Sequence, residues 1–181
     1  MDTKDLALSI ERAKKIKLVI LDVHGVLTAQ EILFDTKGNH YRPFAHDDEF
    51  GCNALMDCKI EVAIITRGDF EMTEARMTKI GVHRLYQTKE KIKKYEELLT
   101  ELNLTEAEAC FVGDEVIDIG VMRRVGLAVA PADAKPIAKE VAHYITRTAG
   151  GKGVIRELAE FILRAQGKWD VFVEKVINKG W

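Results

Sequence analysis

The sequence predicts one α/β domain in which helices cover both faces of a central parallel sheet. A continuous apolar run, KLVIL, ends at Asp22, and a run without alternation is typical of a strand buried on both faces. After residue 61, strand-like and helix-like segments alternate, which implies right-handed crossovers between parallel strands. The chain has 181 residues, 47% of them apolar, so we expect residues 1–181 to form a single domain with a packed core.

The segments before residue 61 predict the first strand and a hairpin. Residues 3–15 are amphipathic and predict a short helix, and residues 17–21 form the strand. Residues 32–44 alternate weakly and carry Lys37-Gly38-Asn39 at their middle, a pattern typical of a β-hairpin. This hairpin is too polar for the centre of a sheet, so we place it as a flap beyond the sheet edge, over about residues 31–44.

The rest of the chain predicts further strands, each followed by a helix, in a Rossmann-like three-layer αβα arrangement. The predicted strands are 61–65, 84–86, 109–112, 127–130 and 143–145. The predicted helices are 69–80, 90–102, 115–125, 134–141 and 153–164. A tail helix over about 168–180 carries Trp169, Phe172, Val176 and Ile177 at helical spacing. We expect this tail to pack on its own domain or on a neighbouring subunit.

Composition and charge exclude several classes of function. The net charge is −2 and the isoelectric point is near 6.2, which gives no basic surface for nucleic acid or for an anionic membrane. Cys52, Cys58 and Cys110 form no C-x-x-C pair, so neither a disulfide framework nor a zinc site is expected. No segment resembles a signal peptide or a membrane span, and we expect a cytoplasmic protein.

Polar side chains follow the predicted strands where the strands end. They are Asp22 after the first strand, Thr66 after the second, Lys91 beyond the third, and Asp114 and Asp118 after the fourth. In an open parallel sheet, ligands bind beyond the carboxyl ends of the strands. Carboxylate and carbonyl oxygens suit Mg²⁺, and a metal with a lysine offsets the charge that repels a carboxylate from phosphate. This set predicts phosphoryl transfer to an aspartate.

The same segments carry a family resemblance. KLVILDVHGVLT, EVAIIT, KIKKYEELL and FVGDEVIDIGVMRRVG resemble the four motifs of the haloacid dehalogenase superfamily. With the hairpin and the glycine-rich GGKGVIRE, the chain looks like the capless phosphatases that act on 3-deoxy-D-manno-octulosonate 8-phosphate. The resemblance extends to about residue 164. It implies a capless fold with a flap, Mg²⁺ as cofactor, and a phosphomonoester of an eight- or nine-carbon sugar acid as substrate.

The resemblance also implies metal ligands and an assembly. Asp22 would be both the nucleophile and a Mg²⁺ ligand. The backbone carbonyl of His24 and the side chain of Asp114 would be the other ligands, and Asp118 would support them. The family further implies a homotetramer in which flaps and C-terminal tails help to close each active site.

For the substrate, the resemblance implies that Thr66 hydrogen-bonds the transferred phosphoryl group. Lys91 would pair with Asp22 and with the phosphoryl oxygens. The family's second motif reads Gly-Arg where this chain has Arg67-Gly68, so the arginine that would meet a substrate carboxylate is displaced by one position. Lys152 and Arg156 are further candidate partners for an acidic sugar, with a structural salt bridge as the alternative role of Arg156.

Two departures from the family pattern bear on activity. His24 stands where the family has the aspartate that protonates the leaving alcohol and later activates water, and Thr28-Ala29-Gln30 stands in place of Thr-Asp-Gly. An imidazole can shuttle protons, but Mg²⁺ and Lys91 nearby would disfavour its charged form. We therefore expect a slow phosphatase in which aspartyl-phosphate accumulates on Asp22. The alternatives are a pseudophosphatase that acts as a tetrameric scaffold or regulatory domain, and a phosphotransfer protein with a stable aspartyl-phosphate.

Overall fold

The computed structural model describes residues 3–68 and 71–179, and within them it shows a six-stranded sheet. The strands are β1 Leu18–Leu21, β2 Leu33–Phe34, β3 His40–Tyr41, β4 Glu61–Thr66, β5 Arg84–Gln87, β6 Ala109–Val112, β7 Leu127–Ala130 and β8 Tyr144–Ile145. The six-stranded sheet has the order β5-β4-β1-β6-β7-β8, and each neighbouring pair is parallel. The predicted parallel sheet is confirmed.

Helices flank this sheet. They are α1 Thr3–Ala13, α2 His46–Asp57, α3 Glu71–Lys79, α4 Lys91–Leu102, α5 Ile119–Met122, α6 Pro136–Val141, α7 Val154–Ala165 and α8 Trp169–Lys179. The start predicted for the helix 69–80 lies outside the described residues. The helix predicted over 115–125 is shorter, because the side chain of Asp118 accepts the N–H groups of Asp114 and Glu115 and a 3₁₀ turn, Val116–Asp118, precedes α5.

Apolar side chains on the two faces of the sheet pack into separate cores. Within β1, Leu18 and Ile20 face one core, with Tyr95 and Phe111, whereas Val19 and Leu21 face the other. The first core is covered by α4, α5 and α6, and the second by α1, α2, α3, α7 and α8. The uninterrupted apolar run of β1 is therefore explained, since each residue of that strand is buried on one face or the other.

The C-terminal helix α8 packs on its own domain through one face. Trp169 and Phe172 are buried in the second core. The opposite face of α8 exposes Val171 and Ile177, whose relative exposures are 72% and 69%. The first of the two roles predicted for this segment, packing on its own domain, is what the structure shows, and the outer face remains available for a neighbour.

The flap forms as a separate two-stranded antiparallel hairpin, β2 and β3. Its turn is fixed by Asp35, whose carboxylate accepts the N–H groups of Lys37 and Asn39, and by Gly38 at φ +84°. Leu33 and Phe34 are exposed, at 60% and 68%. The apolar strand β2 of the flap therefore projects into solvent instead of joining the cores.

The topology places a crevice at the carboxyl end of β1. The chain proceeds from β1 to β4 and β5 on one side, then returns to β6 and continues to β7 and β8 on the other. At such a switch point the loops that follow adjacent strands diverge and leave room for a ligand.

Among the described residues, no helix is long and apolar enough to cross a membrane.

Candidate active site

Three aspartates meet at the switch point. Asp22 follows β1, Asp114 follows β6, and the two strands pair in register, with the N–H of Asp22 donating to the carbonyl of Val112 at 3.0 Å. The 3₁₀ turn brings Asp118 beneath them. One carboxylate oxygen from each aspartate lies within 4.8 Å of the others, and all three side chains are buried. The structure thus brings together the two predicted ligands, Asp22 and Asp114, and the predicted supporting residue.

Lys91 connects this cluster from the first turn of α4. Its ammonium lies 2.8 Å from Asp22 Oδ1 and 2.7 Å from Asp118 Oδ1, and the lysine is only 4% exposed. Burial opposes its charged form, but the charges of Asp22 and Asp118 outweigh burial and raise the pKa of Lys91. The predicted pairing of Lys91 with Asp22 is therefore present in the geometry.

One ammonium among three carboxylates leaves the cluster short of positive charge. Burial, followed by the charges of Asp118 and Asp22, raises the pKa of Asp114 to about 7. Burial and the charge of Asp22 likewise raise the pKa of Asp118. These residues fit a hard divalent cation, because converging carboxylate oxygens at this spacing are its preferred ligands and a cation would relieve their repulsion.

Thr66 and His24 line the neighbouring side of the crevice. Thr66 ends β4, is buried, and accepts the N–H of Gly68 on its hydroxyl at 3.3 Å. The half-buried ring of His24 lies against Gly68, where a Cβ would approach His24 Cε1 to 2.2 Å. A residue with a side chain at position 68 would displace the imidazole. Arg67, which lies between Thr66 and Gly68 in the sequence, is exposed.

Gln30 is a contact of the site that the sequence interpretation did not assign. Its Nε2 donates to Asp114 Oδ2. Gly25, at φ +77°, lies between the two, since a Cβ there would reach within 2.1 Å of Asp114 Oδ2. The only sequence signal for this contact was that residues 28–30 differ from the family pattern. That difference marks the loop as unusual but does not show where the Gln30 amide points.

Arg156 and Lys152 are not brought to the carboxylate cluster. The Arg156 guanidinium lies 3.9 Å from the ring centroid of Phe50 and 4.7 Å from that of Trp169. Among the described residues Arg156 forms no salt bridge, and it stacks between two rings instead. Binding of an acidic sugar by Arg156 or Lys152 stays a prediction. Lys152 is exposed and lines a cleft of about 480 Å³ with Asp47.

A larger cavity, of about 780 Å³, lies at the opposite edge of the sheet. Its lysines follow the C-terminal ends of helices or precede strands: Lys14, Lys15, Lys17, Lys59 and Lys168. Positive side chains at helix C-termini are explained by the partial negative charge of those termini. The candidate site is therefore chosen by the converging buried carboxylates and not by cavity size.

Comparison with known proteins agrees with this geometry. A model of the haloacid dehalogenase-like hydrolases matches residues 69–158. The 3-deoxy-D-manno-octulosonate 8-phosphate phosphatase of Escherichia coli K12 is 40% identical over 162 residues, which cover 89% of this chain and 86% of that protein.

Solved structures are similar over the same extent. The crystal structure of the corresponding phosphatase of Yersinia pestis has a TM-score of 0.87 at 39% identity, covering 90% of this chain and 89% of that one. The Moraxella catarrhalis phosphatase, solved with magnesium, phosphate and a KDO molecule, has a TM-score of 0.88 at 29% identity and covers 92% of this chain and 97% of that one.

Proposed function

Because the chain belongs to the haloacid dehalogenase superfamily, as a phosphoric monoester hydrolase of the 3-deoxy-D-manno-octulosonate 8-phosphate phosphatase family, we propose that it hydrolyses the phosphomonoester of an eight- or nine-carbon sugar acid. The best candidate is 3-deoxy-D-manno-octulosonate 8-phosphate, which the curated relatives' names specify. The observation that carries the proposal is the buried Asp22, Asp114 and Asp118 cluster with Lys91 across it.

The proposed cofactor is Mg²⁺, held by Asp22, Asp114 and the backbone carbonyl of His24. When bound, the ion would offset the negative charges of the phosphate and of the carboxylates, which otherwise repel each other. This proposal is supported by the oxygen-only donor set and by the magnesium in the Moraxella structure. A cytoplasmic location is proposed with it.

The chain's own residues then supply the steps. A carboxylate oxygen of Asp22 attacks phosphorus, a new O–P bond forms, and the bond to the sugar oxygen breaks. Lys91 holds the attacking carboxylate by its contact with Oδ1, and the Thr66 hydroxyl is placed to donate to a phosphoryl oxygen. Water then attacks the same phosphorus, the bond to Asp22 breaks, and inorganic phosphate leaves.

His24 is proposed as the group that donates a proton to the sugar oxygen and accepts one from the attacking water. A neutral imidazole accepts a proton readily but is a poor proton donor. We therefore infer that a neutral His24 slows formation of the leaving alcohol, the step that needs a proton donor, more than it slows hydrolysis of the aspartyl-phosphate. This role belongs to the side chain, since the backbone carbonyl at residue 24 is available with any residue.

The proposed assembly is a homotetramer built through the flap and the tail. Support comes from exposed apolar side chains in both segments: Leu33, Phe34 and Tyr41 in the flap, and Val171 and Ile177 in α8. Light scattering after gel filtration measures this directly. A monomer of 20.4 kDa would contradict it.

A phosphatase screen tests the proposed function. Wild-type protein is incubated with a panel of sugar phosphates, with Mg²⁺ or with EDTA, and released phosphate is measured. We expect Mg²⁺-dependent release that is greatest for the octulosonate ester. Release that is equal with EDTA would contradict the metal, and a preference for a neutral sugar phosphate would contradict the substrate class.

The second candidate is the non-catalytic tetrameric scaffold, which His24 favours because it removes the usual acid and base. No phosphate release from any member of the panel, together with Mg²⁺ binding by calorimetry, would support it over the enzyme. Trapping with beryllium fluoride separates the third possibility, a stable phosphotransfer intermediate. That possibility requires that beryllium fluoride forms a stable complex with the protein and that the aspartyl-phosphate is hydrolysed more slowly than it forms.

A further inference from the structure

Glu157, in the first turn of α7, accepts hydrogen bonds from β8 and from the start of the loop that follows it. Its carboxylate accepts the N–H groups of Arg147 and Thr148, both at 2.9 Å, the hydroxyl of Thr148 at 2.6 Å and the hydroxyl of Tyr144 at 2.8 Å. An ionised carboxylate has acceptor sites for all of these, and bonds to it are stronger than neutral ones. Burial alone would raise the pKa of Glu157, but these bonds outweigh burial and lower it.

The loop that Glu157 holds also forms hydrogen bonds to the loop after β7, through residues 148 and 150. The carbonyl of Thr148 accepts from Ala132 N at 3.0 Å, and Gly150 N donates to Asp133 Oδ1 at 2.8 Å. Both partners lie in the loop after β7. The segment from 147 to 151 is thus held from two sides, by Glu157 and by the β7 loop.

This segment presses its glycines onto the loop that follows Asp22. A Cβ on Gly150 would lie 2.1 Å from the carbonyl oxygen of Gly25, and one on Gly151 would lie 2.3 Å from the nitrogen of Ala29. Gly151 N also donates to the carbonyl of Val26 at 2.8 Å. The contact is backbone on backbone, so a displacement of one loop is transmitted to the other.

We propose that Glu157 is a positioning residue for the phosphatase reaction, which it serves by fixing residues 147–151 against the nucleophile loop. It does not contact Asp22, Lys91 or the metal ligands. Its effect reaches the site through the glycine contacts, because Gly25 in turn lies against Asp114. The proposal rests on the proposed role of Asp22 as nucleophile.

Glu157→Gln tests this, because it keeps the shape but replaces one acceptor oxygen by an NH₂ group that faces N–H donors. The matched control is Glu160→Gln on the same helix, where the carboxylate bonds only the exposed Arg164 side chain, at 2.8 Å, among the described residues. Steady-state kinetics with Mg²⁺ and hydrogen exchange of peptides covering residues 22–30 are measured on each, at a temperature where circular dichroism shows full folding.

For Glu157→Gln we expect kcat to fall on the order of 10²-fold with KM within about threefold, the result of a misplaced nucleophile. We also expect faster exchange at residues 22–30. Glu160→Gln should match wild type in both. Unchanged exchange at residues 22–30, or a loss confined to KM, would overturn the proposal.

Two further arms keep the test decisive. If Glu157→Gln does not fold, Thr148→Val removes one bond of the clamp, and kcat should fall roughly fivefold with faster exchange at residues 22–30. If wild type hydrolyses no sugar phosphate, the proposed function fails by that result alone. The exchange comparison then decides the clamp, since it needs no substrate.

Discussion

Asp114 and Asp48 are both buried aspartates, and burial is the main reason that each has a pKa raised to about 7. Their surroundings differ. Asp114 faces the carboxylates of Asp118 and Asp22, whereas Asp48, on α2, accepts the N–H of Ile155 at the start of α7 at 2.8 Å.

The difference shows what each site can respond to. Like charges packed beside Asp114 are relieved by a cation that several carboxylates share. Asp48 faces the N-terminus of α7, and the nearby charge that repels it, Asp47, has a weaker effect than burial. Protonation therefore removes the cost of burying the Asp48 carboxylate. We therefore assign Asp114 to the proposed metal site and Asp48 to the packing of α2 on α7.

The largest expected effect separates the two regions by activity. Asp22→Asn removes the proposed nucleophile, and phosphate release should fall on the order of 10⁴-fold. Asp48→Asn changes a buried aspartate in the same conservative way and should stay within about twofold of wild type. Phosphate-release assays on both folded variants check this. Equal losses in the two variants would remove the distinction.

The next effect concerns the proton. His24→Asp restores a carboxyl group that can act as acid and base, and kcat should rise on the order of 10²-fold on any sugar phosphate that the wild type cleaves. His46→Asp, at the exposed start of α2, is the control and should leave kcat unchanged. No gain from His24→Asp would show that residue 24 does not limit the reaction.

Metal binding sharpens the comparison in stability. At a Mg²⁺ concentration of 100 times its dissociation constant, wild type should gain about 2.7 kcal/mol, equivalent to a rise in Tm of roughly 5–10 °C. Asp48→Asn should show the same rise. Asp114→Asn should show little or none, and a full rise in that variant would place the cation elsewhere.

The smallest effect is a pH dependence at Asp48. The pKa of its carboxyl is about 7 when folded against 3.8 as its ordinary value, so the folded state binds the proton more tightly. Its contribution to stability is complete below about pH 4 and is lost as pH rises through 7.

Asp48→Asn keeps an oxygen acceptor for Ile155 N–H and removes the titration. In EDTA at pH 8 the variant should exceed wild type by roughly 1–3 kcal/mol, and the gap should close by about pH 4. Urea unfolding at a series of pH values measures it. A gap that is constant with pH would mean that Asp48 does not titrate in this range.

Sequence patterns predicted the sheet well because its strands are apolar runs whose ends coincide with polar residues. Asp22 and Asp114 come together for that reason, since parallel strands in register end at one edge, and Lys91 joins them from the start of α4, the helix after β5. The functional roles of these residues, in contrast, rest on the family resemblance and await the experiments above.

Other contacts were beyond sequence reasoning for physical reasons. The direction of Gln30 is set by a loop without periodicity, and Arg156 stacks between rings that are distant in the chain, Phe50 and Trp169. The helix predicted from residue 115 is shortened by a side chain, Asp118, that bonds to the backbone before it. This bond is local, and it competes with the helical hydrogen bonds that an apolar pattern alone predicts.

The close approach of Gly25 to Asp114 has a consequence for how this chain can vary. Any added carbon at residue 25 would occupy the volume of a carboxylate oxygen, so a saturation library should recover glycine alone there among active clones. Gly38, in the flap turn, also has a positive φ but has nothing within 4 Å of a Cβ. Asparagine and aspartate should survive at that position, because the restriction there is set by the backbone angle and not by a neighbour.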